Sequence, residues 1–140
     1  VTLYLDTSAF LKLYVAEPAA EIVRRGREEA ARVATSCVTY VEARVALARR
    51  LREGVLAPDA HQQAVADLDG DWERYDRLVA DDDLARLAGA LAERCALRGF
   101  DAVQLASALQ LHNERGDVRF LAFDSRLVEA ARTMLPMYVG

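Results

Sequence analysis

The stretch VTLYLDTSAF, Val1–Phe10, sets an apolar run directly against a carboxylate. Five residues rich in Val, Leu and Tyr read as a buried strand, and Thr7-Ser8 reads as the start of a helix. Asp6 therefore stands at a handover from strand to helix. An acid there has two uses. It caps the helix by accepting from a free first-turn amide, or it stands at the carboxyl end of a parallel strand, where open α/β sheets hold their ligands. The same pattern returns in VRFLAFD, Val118–Asp124, which is again followed by a serine, Ser125. If both strands are parallel and central, Asp6 and Asp124 arrive at one edge of the sheet.

The segments between these strands complete an alternating pattern. A short helix is expected over about 8–14, a second opens near Pro18, and RVATSCV is a further strand. VTYVEARVALARRLREG is a helix with Val38, Val41, Val45 and Ala48 at helical spacing and Gly54 as its stop. One or two helices interrupted near Gly70 follow, then a short strand in YDRLVA. DDDLARLAGALAERCALRG carries Leu84, Leu87, Ala88, Leu91 and Cys95 on one face, with three acids placed to favour its N-terminus. FDAVQLASALQLHNERG and SRLVEAARTM are the last helices, and MYV reads as an added edge strand. Strands that are continuous apolar runs alternating with helices indicate an α/β fold. The expected architecture is three-layer α/β/α, with a central parallel sheet of about four to five strands and helices on both faces. No linker or repeat divides the chain, so one domain is expected over 1–140.

A chain of 140 residues buries roughly two-thirds of its unfolded surface. Its 53% hydrophobic and 29% charged residues are those of a folded globular protein, not of a disordered tract. No apolar stretch approaches the roughly 20 residues that cross a bilayer and no signal peptide precedes the first strand, so a cytoplasmic protein without a membrane segment is expected. Cys37 and Cys95 lack metal-site spacing and read as free, buried thiols. His61 and His112 have no ligand-like company. A formal net charge of −4 excludes bulk electrostatic binding of nucleic acid, so any such contact is local. Of 18 basic residues only Lys12 is lysine, and arginine pairs with phosphate oxygens two at a time.

Two further acids lie just inside helices, Glu42 in TYVEARVAL and Asp101 in RGFDAVQLASAL. Thr39-x-x-Glu42 and Asp101-x-x-Gln104 both fit capping boxes. Against that reading, Asp101 shares a face with Leu105, Ala108 and Leu109, and Glu42 adjoins Val38 and Val41, which places both acids beside apolar stripes. Four carboxylates in one crevice need a counter-charge, since each like pair about 4 Å apart repels by roughly 4 kcal/mol at an effective dielectric of 20. Hard oxygen donors suit Mg²⁺, with Mn²⁺ as a substitute, and no His or Cys cluster suits zinc. Such a site matches metal-assisted cleavage of a phosphodiester.

LYLDTSAFLKLYVAEP, TSCVTYVEARVAL, LRGFDAVQLASAL and FLAFDSRLVEAA together resemble, in order and context, the four motifs of the PIN-domain ribonucleases. The likeness is greatest to the VapC-type toxins of toxin-antitoxin pairs and covers essentially the whole chain. It implies Asp6, Glu42, Asp101 and Asp124 as the catalytic, metal-binding acids, with Asp6 and Asp101 the most direct ligands and Thr7 or Ser8 in support. It also implies cleavage of structured RNA such as tRNA or rRNA, a homodimer, and neutralisation by a VapB-like antitoxin. Many relatives carry Thr or Ser two residues before the fourth acid, where this chain has Ala122. Arg98, three residues before Asp101, is placed for a phosphate or an acid of the site. Arg49 and Arg50 meet either RNA or the negative end of their helix dipole. Trp72 and Tyr75 suit a core or a dimer partner better than a base. A haloacid-dehalogenase phosphatase needs Asp where Ser8 stands, and a receiver domain needs an early acidic pair and a late Lys. The alternative that stays open is an inactive relative that acts only by binding protein partners.

Overall fold

β1 (Thr2–Leu5) is buried at every position, and its side chains alternate between two cores, with Tyr4 in one and Leu3 and Leu5 in the other. A strand sealed on both faces must be flanked on both edges as well. In this computed structural model of Val1–Gly140, β1 pairs in parallel with β2 (Arg32–Ser36) on one side and β4 (Val118–Leu121) on the other. β3 (Asp76–Leu78) pairs with β2 and completes a parallel sheet of order β3-β2-β1-β4. The chain thus steps outward from β1 to β3 and then returns across β1. That reversal puts a topological switch point at the carboxyl ends of β1 and β4.

The helices follow from the same path. α1 (Thr7–Leu11), α2 (Ala20–Glu29), α3 (Val38–Arg52) and α4 (Pro58–Asp71) cover one face through Phe10, Val23, Leu47 and Leu68. α5 (Asp82–Cys95), α6 (Gly99–Arg115) and α7 (Ser125–Arg132) cover the other through Leu84, Leu91, Leu105 and Leu127. When strand order reverses and crossovers keep one hand, the helices change face, which gives three layers. α2 lies close on β1 because Gly26 has no side chain: a Cβ there would stand 3.1 Å from both Leu3 Cδ2 and Tyr138 Cζ. No helix is long and apolar enough to cross a membrane.

Several expectations need correction. The stripe Val38, Val41, Val45 and Ala48 does not face the core. α3 buries Thr39, Ala43 and Leu47 instead, leaving Val41 62% and Val45 54% exposed. Both faces carry small or apolar residues at the same period, so spacing alone selects the wrong one. Cys37 is exposed and Cys95 half-buried; both are free but neither is fully buried. Leu87 is likewise partly exposed on its otherwise buried helix face. α1 ends at Leu11 and does not reach Tyr14. α4 runs through Gly70 without a break, then tightens into a 3-10 turn over Trp72–Arg74 before β3. MYV adds no strand; Met137 makes a single parallel bridge to Phe120.

The edge of the sheet is fixed by charge. Asp76 on β3 accepts from Arg32 of β2 and from Arg115 of α6, the latter at 2.7 Å. The Arg32 hydrogen bond foremost, with help from Arg115, holds the Asp76 carboxyl at about 2, below its ordinary 3.8. A depressed folded-state pKa contributes stability that is present above about pH 4 and disappears as pH falls through about 2. Asp76→Asn is therefore expected to lower the melting temperature by a few degrees at pH 7, with the gap to the wild type closing toward pH 2. A pH series of thermal melts on both proteins checks this.

Candidate active site

All four acids lie at the carboxyl end of the sheet, and each arrives by a different local rule. Asp6 follows β1 directly and is 3% exposed. It caps α1, accepting from the Ala9 amide at 2.9 Å and from the Ser8 hydroxyl at 2.7 Å. Asp124 follows β4 and caps α7 through the Leu127 amide at 3.1 Å. Neither Glu42 nor Asp101 belongs to a capping box: α3 is preceded by Cys37 and α6 by Arg98, and neither makes a side-chain cap. Their would-be box partners, Thr39 and Gln104, are instead buried and bonded to each other. The acids thus divide in half. Two serve as caps as well as facing the crevice, and two cap no helix.

Electrostatics connects them. Burial, above all, pushes Asp6 up from an ordinary 3.8 to about 7, against the lowering effect of the Ala9 and Ser8 hydrogen bonds, and the Asp101 charge raises it further. Asp101 is also raised, by its own partial burial and then by Asp124, while Arg98 pulls the other way. Asp101 thus feels both Asp6 and Asp124. Glu42 and Asp101 line one open cavity of about 640 Å³ with Arg98, Gly99, Phe100 and Val103. As the side chains stand, no three acids, histidines or cysteines converge closely enough to hold one ion. The donor set is nonetheless all carboxylate and hydroxyl oxygen, the chemistry of Mg²⁺ or Mn²⁺. Arg98 is the cation that bears on this cluster through Asp101.

The supporting residues are sharply placed. Ser8 Oγ donates to Asp6 and accepts from the Phe123 amide at 3.1 Å, which ties the first acid to the loop carrying the fourth. Thr7 donates to Glu42 Oε1 at 2.6 Å. Of the arginines, Arg98 is exposed at the cavity mouth. Arg49 is exposed on the last turn of α3, seven residues and so about 10 Å along the axis from Glu42, on the same face. Arg50 is not free: its Nε lies 2.8 Å from Glu17 Oε1. Trp72 and Tyr75 pack edge-on against Phe10 and belong to the core.

Sequence reasoning missed two residues. Gln104 is 1% exposed and reaches Tyr4, Thr7, Thr39 and Glu42; its polar character amid Ala102, Leu105 and Ala106 was the available signal. Lys12 pairs with Glu17 at 3.3 Å and lies 4.9 Å from the centre of the Phe123 ring, beside Asp124. Being the sole lysine marks it out, but nothing in the spacing shows what it meets.

Comparison with known proteins agrees with this geometry. The PIN domain family matches residues 3–133. Ribonuclease VapC46 of Mycobacterium tuberculosis is 36% identical over 132 residues, covering 94% of this chain and 92% of its own. Ribonuclease VapC45 from the same species is 36% identical over 110 residues, covering 76% of this chain and 74% of its own. Among solved structures, VapC20 of M. tuberculosis, described as a sarcin-ricin loop cleaving toxin, superposes with a TM-score of 0.69 at 21% identity over 91% of this chain and 94% of that one. FitAcB from Neisseria gonorrhoeae gives 0.69 at 17% identity over 98% and 96%. A toxin-antitoxin complex from Klebsiella pneumoniae gives 0.65 at 17% identity over 90% and 89%. The chain belongs to the PIN-domain family, among its VapC-type ribonucleases.

The burial of Asp6 has a measurable cost. Its folded pKa lies above its unfolded one, so the folded chain keeps a proton that the unfolded chain releases. Stability then falls as pH rises from about 4 to about 7, by up to roughly 1.4 kcal/mol per pH unit. Asp6→Asn keeps an oxygen for the Ala9 amide and removes the charge. In EDTA it is expected to melt above the wild type at pH 8 and close to it at pH 4, a convergence that a pH series of melts reads directly.

Proposed function

We propose that this protein is a divalent-metal-dependent endoribonuclease that cuts structured RNA such as tRNA or rRNA and is neutralised by a VapB-like antitoxin. The observation that carries the reading is the arrival of Asp6, Glu42, Asp101 and Asp124 at one end of the sheet by four independent routes. Two of those acids have no capping role to account for them. Asp6 and Asp101 would hold the ion most directly, with Glu42 and Asp124 completing the set. When bound, Mg²⁺ or Mn²⁺ would supply Lewis-acid polarisation of a phosphate oxygen and an activated water.

The chain's own groups do the positioning. Arg98 stands at the cavity mouth as a fork for a phosphate, and Arg49 extends the same face of α3 outward. Arg50, already paired with Glu17, is left as a structural residue. Ser8 holds Asp6 and the Phe123 amide together, so the first and fourth acids keep one separation. The net charge of −4 makes these local cations the source of RNA affinity.

The partners follow from surface chemistry. Val41 and Val45, one turn apart on α3, and Phe100, 56% exposed at the cavity rim, are large apolar groups left in water. We assign them to protein contacts, namely a second copy of this chain and the antitoxin. A cytoplasmic location fits such a pair. The solved relatives include a toxin-antitoxin complex, which supports the antitoxin reading by likeness.

The test is thermal melting with and without millimolar Mn²⁺, on the wild type and on Asp101→Asn. Ion at about 100 times its dissociation constant adds roughly 2.7 kcal/mol, so the wild type should melt several degrees higher and the variant should not. RNA cleavage should fall at least a hundredfold, to about the background rate, in Asp101→Asn or excess EDTA. Cleavage that survives both would overturn the reading, and no Mn²⁺ response in the wild type would favour a protein-binding role.

A further inference from the structure

The hydroxyl protons of the buried polar chain around Gln104 have one consistent arrangement. Tyr4 donates its hydroxyl to Gln104 Oε1 at 2.7 Å, which turns the amide so that Nε2 faces the opposite way. Nε2 then meets Thr39 Oγ1 at 2.9 Å, Thr7 Oγ1 at 3.1 Å and Glu42 Oε1 at 3.3 Å. Thr35 spends its proton on the Leu5 carbonyl at 2.7 Å, so in the Thr35–Thr39 pair it is Thr39 that donates. Thr39 therefore accepts from Gln104. Thr7 donates to Glu42 at 2.6 Å, so Thr7 and Glu42 Oε1 are both acceptors for the second Gln104 N–H, at 3.1 and 3.3 Å. Every hydroxyl proton in the chain is used, and every link is buried or half-buried.

We infer that Gln104 is a positioning residue for Glu42, acting mainly through the Thr7 hydroxyl. Thr7 and Gln104 bond only to Oε1 of Glu42, and Oε2 keeps no hydrogen bond to the protein. One oxygen is thereby anchored to the interior, and the other is left for the cavity that Glu42 lines. The anchor spans three elements: Thr7 on α1, Glu42 on α3 and Gln104 on α6. It also reaches β1 through Tyr4 and the Leu5 carbonyl, directly before Asp6. Glu42 is therefore held in register with the strand that carries the first acid. A glutamate fixed in this way gives up less rotamer freedom when it engages a cation.

This inference rests on the cation reading of the four acids, and the experiment separates the two. Mn²⁺ affinity is measured by calorimetry on the wild type, Gln104→Met, Thr7→Val, Thr7→Ser, Glu42→Gln and the Gln104→Met/Glu42→Gln pair, with folding checked by circular dichroism. Partners of metal-binding groups commonly cost 10–100-fold in affinity when lost. Gln104→Met and Thr7→Val are expected to weaken binding about tenfold, Thr7→Ser to restore it, and Gln104→Met to add nothing once Glu42 is already Gln. Unchanged affinity in Thr7→Val, or an equal loss from Gln104→Met in both backgrounds, overturns the role of Gln104 and leaves the cation site standing. A wild type that binds no Mn²⁺ overturns both. If Gln104→Met fails to fold, the Thr7→Val and Thr7→Ser pair carries the test, because Thr7 is only half-buried.

Discussion

A carboxylate buried at the end of the central strand is the constraint on which this molecule turns. Asp6 is 3% exposed, at the end of a strand with neighbours on both edges and helices on both faces. Burial alone disfavours its charge, and the nearby Asp101 adds to the penalty. A fold selected for stability alone would place an asparagine or a serine there, since either caps a helix without the charge. The acid stands at the carboxyl end of a central parallel strand, where open α/β sheets bind ligands, and its burial is offset in part by the Ser8 and Ala9 hydrogen bonds.

The other acids are arranged around that fact by topology. Reversal of strand order at β1 opens the crevice between β1 and β4 and sets Asp6 and Asp124 on its two sides. α3 and α6 then bring Glu42 and Asp101 to the same end. Hydroxyl and amide groups link these elements: Ser8 joins α1 to the β4–α7 loop, and Thr7 joins α1 to α3. The crevice is thus held by polar contacts that cross between elements, on a scaffold held by apolar burial.

Much of this was legible in the sequence for a physical reason. A strand buried on both faces must be a continuous apolar run, and an acid ending such a run stands out, so β1, β4, Asp6 and Asp124 were readable from local pattern alone. The parallel α/β architecture followed from alternation. What failed were inferences that needed to know which neighbour a helix meets. Val41 and Val45 have the spacing of a core stripe, yet Thr39, Ala43 and Leu47, with the same period, won the buried face. Thr39 and Gln104 look like capping partners of acids three residues away, but their bonds run to each other across 65 residues of chain. Cys37 lies in an apolar segment and is exposed because it stands at the turn into α3. Lys12 sits over the Phe123 ring, 111 positions away by their numbering, a contact that no local window contains.

The proposed role of the four acids, as the seat of a divalent cation, can be tested on the protein alone. Crystals grown with Mn²⁺ and measured at its absorption edge would locate the ion without any knowledge of the RNA. The expected result is an anomalous peak between Asp6 and Asp101, within coordination distance of both, with Glu42 and Asp124 beside it. A peak elsewhere, or an empty crevice at Mn²⁺ concentrations that saturate binding in solution, would contradict it.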